Sequence, residues 1–348
     1  MRVIGLILVG WIMLGAASWT AGAQEKRPNP TKEVEGKGDA KVEFKTAERY
    51  YYGNGVKKDY AEAVKWFRKA AEQGYSSAQY NLGVMYDRGE GVEKAYGEAV
   101  RWYRKAAAQG HSRAQNNLGM KYYQGEGVEK DYAEAVKWFR KAAEQGLDKA
   151  QFNLGLRYYQ GEGVQRDYAE MVRWYRKAAA QGYSRAQNSL GVSYYEGEGV
   201  KKDYEEAAKW FIKASEQGHP LAQYNLGLRY YKGEGVQKDF AEAAKWFSKA
   251  SEQGHPLAQY NLGLMYAYGR GVNKDFVQGY AWLNVAATKL ENARASKDKM
   301  EQGMSAQQLA EGQKRTRELR ARLENKPQAA PGIGGEDIPE ERDGGRSR

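Results

Sequence analysis

In "DYAEAVKWFRKAAEQG", residues 59–74, apolar side chains fall at 60, 63, 64, 67, 70 and 71, with Trp66 beside them. That is the 3.6-residue spacing of an amphipathic helix with one face to bury. Asp59 followed three residues later by Glu62 predicts the helix start, because a carboxylate ahead of the first turn can accept an otherwise free backbone N–H. Gly74 predicts the end, where a helix favours a residue that can adopt left-handed backbone. A second helix is predicted in "SSAQYNLGVMYDRG", with Ala78, Leu82 and Tyr86 on its buried side and Gly83 allowing another backbone close. "GEGV" at 89–92 then reads as a turn into the next unit.

The pattern returns every 36 residues, with Trp66, Trp102, Trp138, Trp174, Trp210, Trp246 and Trp282 in register. The acidic start recurs as Asp131/Glu134, Asp167/Glu170, Asp203/Glu206 and Asp239/Glu242, while Ala95 in the second unit predicts a less sharply capped helix. Gly110, Gly146, Gly182, Gly218 and Gly254 repeat the helix end, and Pro220 and Pro256 fit first turns, where a missing N–H costs nothing. Each helix pair therefore exposes an apolar flank that only its neighbour can cover, so the array forms one body although its length alone suggests two domains.

W-x-x-x-A, then A-x-x-x-L-G-x-x-Y, then G-x-G-V in a 36-residue two-helix unit resembles the Sel1-like repeat, a relative of the tetratricopeptide repeat. The resemblance covers residues 42 to about 323 and implies an all-α fold, a right-handed α-solenoid of stacked helix-turn-helix units. It divides that region into a half repeat at 42–56, six full helix pairs over about 57–268 and a terminal capping unit over about 269–324. In the last unit the Gly and Ala landmarks fade, and Ser305 with Gln308 predicts the cap of a highly charged final helix. The resemblance also implies an adaptor that binds a protein partner.

Residues 1–23 combine Arg2, an apolar run from Val3 to Leu14 and Ala21-Gly22-Ala23, the layout of a cleavable secretory signal peptide. The run is shorter than the ~20 residues of a membrane span. No other segment could cross a membrane, and the absence of Cys removes both disulfides and a lipid-modified cysteine. The expectation is a periplasmic or secreted, monomeric protein. Pro-, Gly- and charge-rich stretches at 24–41 and 325–348 read as a disordered linker and tail. The net charge of +11 resides on residues 45–324, so the basic character belongs to the array.

Catalytic chemistry should show as an exception to the repeat. His111, His219 and His255 stand at the same entry to a second helix, without Cys or carboxylate partners at ligand spacing, and read as helix-entry residues. Ser296-Lys297-Asp298-Lys299 fits S-x-x-K formally, but the S-D-N and K-T-G partners of β-lactam enzymes are absent. No enzyme, cofactor or metal is expected. A cell-wall-related β-lactam-binding or hydrolysing enzyme is kept as the alternative because some relatives have been linked to β-lactams, and a binder of anionic envelope polymer as a third reading.

Basic side chains are the more informative pattern. Lys65, Arg101, Lys137 and Arg173 form one column, continued by Lys209 and Lys245. Arg68, Arg104, Arg140 and Arg176 form a second, which changes to Ile212 and Ser248. Lys69, Lys105, Lys141 and Lys177 form a third, continued by Lys213 and Lys249. If the Trp helices line the concave side, these columns make a basic stripe for an acidic protein partner, strongest over the first four units. Nucleic acid is not expected, given the export signal. The plainer alternative is a set of solvated helix faces, tempered by acids such as Glu62. Paired tyrosines at 122–123, 158–159, 194–195 and 230–231 should place one ring in the core and expose the other. Asn81, Asn117, Asn153, Asn225 and Asn261 should hydrogen-bond between helices.

Overall fold

The computed structural model describes residues 38–325; the expected leader, the linker up to residue 37 and the tail from 326 lie outside the described residues. Among the described residues there are sixteen helices and no strand. One row comprises α1 (Ala40–Tyr52), α3 (Ser76–Arg88), α5 (Ser112–Gln124), α7 (Asp148–Gln160), α9 (Ser184–Glu196), α11 (Pro220–Lys232) and α13 (Pro256–Tyr268). The Trp-bearing row comprises α2 (Tyr60–Glu72), α4 (Tyr96–Ala108), α6 (Tyr132–Glu144), α8 (Tyr168–Ala180), α10 (Tyr204–Glu216), α12 (Phe240–Ser251) and α14 (Phe276–Ala286). The repeating helix-turn-helix units make the chain an α-solenoid, closed by α15 (Glu291–Glu301) and α16 (Ala306–Glu324).

Local signals act as the residues suggest. The Asp59, Asp131, Asp167, Asp203 and Asp239 carboxylates accept from the backbone N–H three residues on, and Ala95 makes no such bond although α4 begins in the same register. The Glu of that pair does not reach back, as a full capping box requires. Glu62 instead accepts from Lys65 and from the Trp66 indole, 2.7 and 3.1 Å away. Among the described residues the reciprocal box forms only at Ser305 and Gln308.

The closest packing crosses the Gly-rich turn, joining each odd-numbered helix to the Trp helix that follows it. α1 packs on α2 in this way, so the segment read as a half unit supplies the first member of a full pair. Glycine makes the approach possible. A Cβ on Gly119 would lie 2.8 Å from the Phe139 ring and 3.1 Å from the Ala135 carbonyl, and Gly83, Gly155, Gly191 and Gly227 meet Tyr103, Tyr175, Phe211 and Phe247 alike. The second glycine of the turn brings successive pairs together: at Gly127, φ is +71° and a Cβ would strike the Tyr96 carbonyl carbon at 2.4 Å.

Trp is the key between neighbours. Trp102 is buried in the cluster built on Phe67 and Leu82, and Trp174 in the one built on Phe139 and Leu154. The central turns of α3, α5, α7 and α9 are consequently enclosed on all sides, with Ala78–Met85, Ala114–Lys121, Ala150–Arg157 and Ala186–Ser193 buried without interruption. The Trp helices keep one solvent face. At the far end, α16 lays Gly312 on the Tyr280 ring and adds Leu319 to the last core cluster.

Gly127→Ala should cost more stability than Gly119→Ala, because it drives a Cβ into backbone that cannot rotate away, whereas Phe139 can shift. Urea unfolding should show losses of about 1–3 kcal/mol for Gly119→Ala and more for Gly127→Ala; equal, small losses would contradict the close approach.

Candidate partner-binding surface

The three predicted basic columns all lie on the solvent face of the Trp helices, the more exposed row. Helical spacing puts them side by side, yet each column meets a different neighbour. Lys65, Arg101, Lys137 and Arg173 pair with Glu62, Glu98, Glu134 and Glu170 one turn earlier, at 2.7, 3.5, 2.8 and 2.9 Å. These cations are largely neutralised within their own helices. Exposed pairs of this type add little stability.

The other two columns rest on aromatic rings. Arg68, Arg104, Arg140 and Arg176 donate to the hydroxyls of Tyr86, Tyr122, Tyr158 and Tyr194, each guanidinium 5.7–5.8 Å from the ring centre. Lys69, Lys105, Lys141 and Lys177 place their ammonium groups 4.2–4.4 Å from the rings of Trp66, Trp102, Trp138 and Trp174. A ring orders a cation without cancelling its charge. Among the described residues, none of these eight cations has a carboxylate partner. Clefts of about 560 and 550 Å³ open beside Arg104 and Arg176, lined also by Lys130 with Glu129 and Asp131, and by Lys201 and Lys202 with Asp203.

A second set of charges lies in the buried row. Lys121, Arg157 and Arg229 occupy one register on α5, α7 and α11, where α3 and α13 carry Met85 and Met265 and α9 carries Ser193. Lys121 is bracketed by Asp87 and Glu126 at 2.5 and 2.7 Å; burial opposes its charge, but the two carboxylates prevail and its pKa is raised. Arg157 pairs with Glu162 and lies 4.0 Å from the centre of the Tyr123 ring. Arg229 lies 3.7 Å from Tyr195, and its Nη1 is 2.9 Å from Glu234 but too poorly aligned for a hydrogen bond. Burial lowers its pKa. Each cation thus links its own turn to the preceding unit. The signal was a charged residue inside "LGMKYY" and "LGLRYY", otherwise runs of apolar and aromatic residues.

Two polar ladders tie the units further. Gln109 donates to Gln79 at 2.8 Å, and Gln79 donates to the Ala71 carbonyl at 3.1 Å. The motif recurs through Gln145 and Gln115, Gln181 and Gln151, Gln217 and Gln187, and Gln253 and Gln223. The predicted asparagines do bridge units at Asn153 and Asn225, but to Asn116 and Asn188, one position earlier than their equivalents. Those acceptors exist only in alternate units, since Tyr80, Phe152 and Tyr224 hold that register elsewhere. Both members of the tyrosine pairs are half-buried, contrary to the expected split: Tyr122, Tyr158 and Tyr194 accept from the column arginines, while Tyr123 and Tyr195 meet Arg157 and Arg229.

The three histidines cap α5, α11 and α13, their Nδ1 atoms accepting from Ala114, Ala222 and Ala258 at 3.2–3.3 Å. Burial lowers the pKa of His219 and His255 to about 4, with Arg185 and His255 adding to the effect at His219. Ser296 sits on α15, where Lys299 is exposed and Lys297 is held by Asp298 and Glu301 at 2.9 and 3.2 Å. Among the described residues, no group of three His, Cys, Asp or Glu side chains could hold a metal ion, and no helix is long and apolar enough to cross a membrane.

A stack of two-helix units that buries one row and presents ordered cations on the other defines an α-solenoid repeat protein. The Sel1 repeat pattern matches residues 40–75, 76–111, 112–147, 148–183, 184–219, 220–255 and 256–289, and the chain belongs to the Sel1 repeat family, whose members generally serve as protein-interaction scaffolds. A Sel1 repeat protein from Oxalobacter formigenes is 36% identical, with a TM-score of 0.65 over 75% of this chain and 76% of that one. A protective antigen of uropathogenic Escherichia coli strains with the same repeat fold is 29% identical, with a TM-score of 0.39 over 86% and 97% of the two chains. An immunity protein from Pseudomonas aeruginosa is 22% identical, with a TM-score of 0.40 over 61% and 81%. No curated protein matches the chain at a significant level.

Two outcomes check this account of the buried groups. Arg157→Met should be neutral or stabilising by up to about 2 kcal/mol, whereas Glu162→Ala, which strands the guanidinium, should destabilise by about 3 kcal/mol; the reverse order in urea unfolding would contradict it. For the histidines, the folded state holds the neutral form while the unfolded chain takes a proton below about pH 6.5. Stability should be insensitive to His219 and His255 above that pH and fall as pH drops from about 6.5 to 4, by on the order of 3 kcal/mol for each. His219→Asn with His255→Asn, which keeps a capping side chain, should flatten that part of the curve; superimposable curves would contradict the assignment.

Proposed function

We propose that this chain is an exported scaffold whose exposed basic face binds an acidic protein partner. The observation that carries the reading is the set of eight cations from Arg68 and Lys69 to Arg176 and Lys177, held in register by aromatic rings and left without carboxylates. Side chains already ordered lose less freedom on binding, so their Coulomb attraction is less offset by entropy. The interruption of the arginine column at Ile212 and Ser248 favours the first four units as the docking stretch. The apolar run before Ala21-Gly22-Ala23 supports export, and placement in the periplasm or outside the cell is part of this proposal. Poly-anionic envelope material shares the required charge and is the second reading, distinguished by binding that follows charge density alone.

Poly-L-glutamate serves as a probe of the face. Its affinity should fall steeply between low and physiological salt. Arg140→Glu with Lys141→Glu should weaken it at least about tenfold, and Lys137→Glu, whose cation is already paired, noticeably less. Equal effects of the two changes, or binding indifferent to salt, would remove the basis for the proposal.

A further inference from the structure

The last Gly-rich turn inverts a charge pattern. Glu90, Glu126, Glu162, Glu198 and Glu234 hold one position in five successive turns, Asn54 holds it in the first, and Arg270 takes it in the last. On the helix before that turn, Met265 replaces the buried cation of α5, α7 and α11. The positive charge has moved from the interior to an exposed turn. Arg270 donates to the Tyr231 hydroxyl and lies 5.9 and 5.6 Å from the ring centres of Tyr231 and Tyr268. Among the described residues it has no carboxylate partner.

Beside it a pocket of about 180 Å³ opens between α11 and α13, lined by Leu228, Phe247, Leu264 and Met265 with the exposed Lys232 and Arg270. Tyr268, also on its wall, is 64% exposed, where α5, α7 and α9 carry Gln124, Gln160 and Glu196 and the first helix carries Tyr52. An apolar hollow with two cations and no acid among its lining residues fits an aliphatic side chain flanked by carboxylates.

The chain contains such a segment: in "GEDIPEERD", residues 335–343, Ile338 stands between Glu336-Asp337 and Glu340-Glu341. We propose that residues 336–341 dock on this pocket, Ile338 entering it and the carboxylates meeting Arg270 and Lys232. The tether is long enough. Leu319 and Leu323 of α16 join the core cluster that holds Phe247 and Met265, and Arg322 reaches Glu252 at 3.5 Å. From there the length of α13 is ~20 Å, while residues 326–335 can extend over ~35 Å. Attachment to the same chain raises the effective concentration of the segment, so a weak contact suffices. Its site is separate from the basic columns, and its fate does not decide theirs.

Zero-length carbodiimide coupling of the full-length protein, followed by peptide mass spectrometry of the monomer band, tests this. The expected product joins Lys232 to a carboxylate within 336–341, with its yield cut about tenfold by Arg270→Glu and by Ile338→Asp. Both changes are at sites where folding is readily confirmed by circular dichroism. Linkage to the column lysines instead would show the acidic segment lying on the basic face; linkage confined to dimers would show a second copy in the pocket. Either of these, no linkage at Lys232, or a yield unmoved by either substitution overturns the proposal.

Discussion

The contact on which the structure depends is the approach of an aromatic ring to a residue without a side chain. Phe139 lies 2.8 Å from where the Cβ of any other residue at position 119 would be, and the same relation recurs through the stack. It sets the distance between the two rows, and with that distance fixed the central turns of α3, α5, α7 and α9 are covered on every side. Their interior positions must then be apolar, or polar with partners built in. The glutamine ladder and the Lys121, Arg157 and Arg229 clusters are such partners, each spanning two units rather than closing within one. Stability is accordingly a property of adjacent pairs.

The same geometry separates two uses of positive charge. Inside, cations meet carboxylates and rings across a unit boundary, where desolvation makes an unpaired charge costly. Outside, the Trp and Tyr rings that key one unit into the next also present their faces to Lys and Arg. The fold's own adhesive therefore arranges the exposed cations, at a spacing fixed by the repeat. A regular array of this sort suits an extended acidic surface better than a small ligand.

Much of this was legible in the sequence, and the reasons differ from residue to residue. Apolar spacing and the Asp and Gly landmarks gave helix positions because those signals are local. The three basic columns could be drawn from periodicity, but their unequal character could not. Lys137 finds Glu134 on its own helix, whereas Arg140 finds Tyr158 eighteen residues away. Which helix pairs are tightest was also hidden, since Trp102 looks like a member of its own unit until it is seen in the core of the previous one. Lys121, Arg157 and Arg229 were missed because charge in a helix is ordinarily read as solvent-facing, and only the enclosure of the odd row makes these buried. Alternation over 72 residues, visible as near-identical second and fourth units, has a physical counterpart in Asn116 and Asn188, set between Tyr80, Phe152 and Tyr224.

Native-state hydrogen exchange, resolved by helix, tests the central claim that each unit is held by its neighbours. Protection should be greatest in the middle of the stack, around α5 to α10, and decline toward α1, with the odd helices slower to exchange than the Trp helices of the same unit. Uniform protection ending in a single global opening, or a terminal unit as protected as the centre, would contradict it.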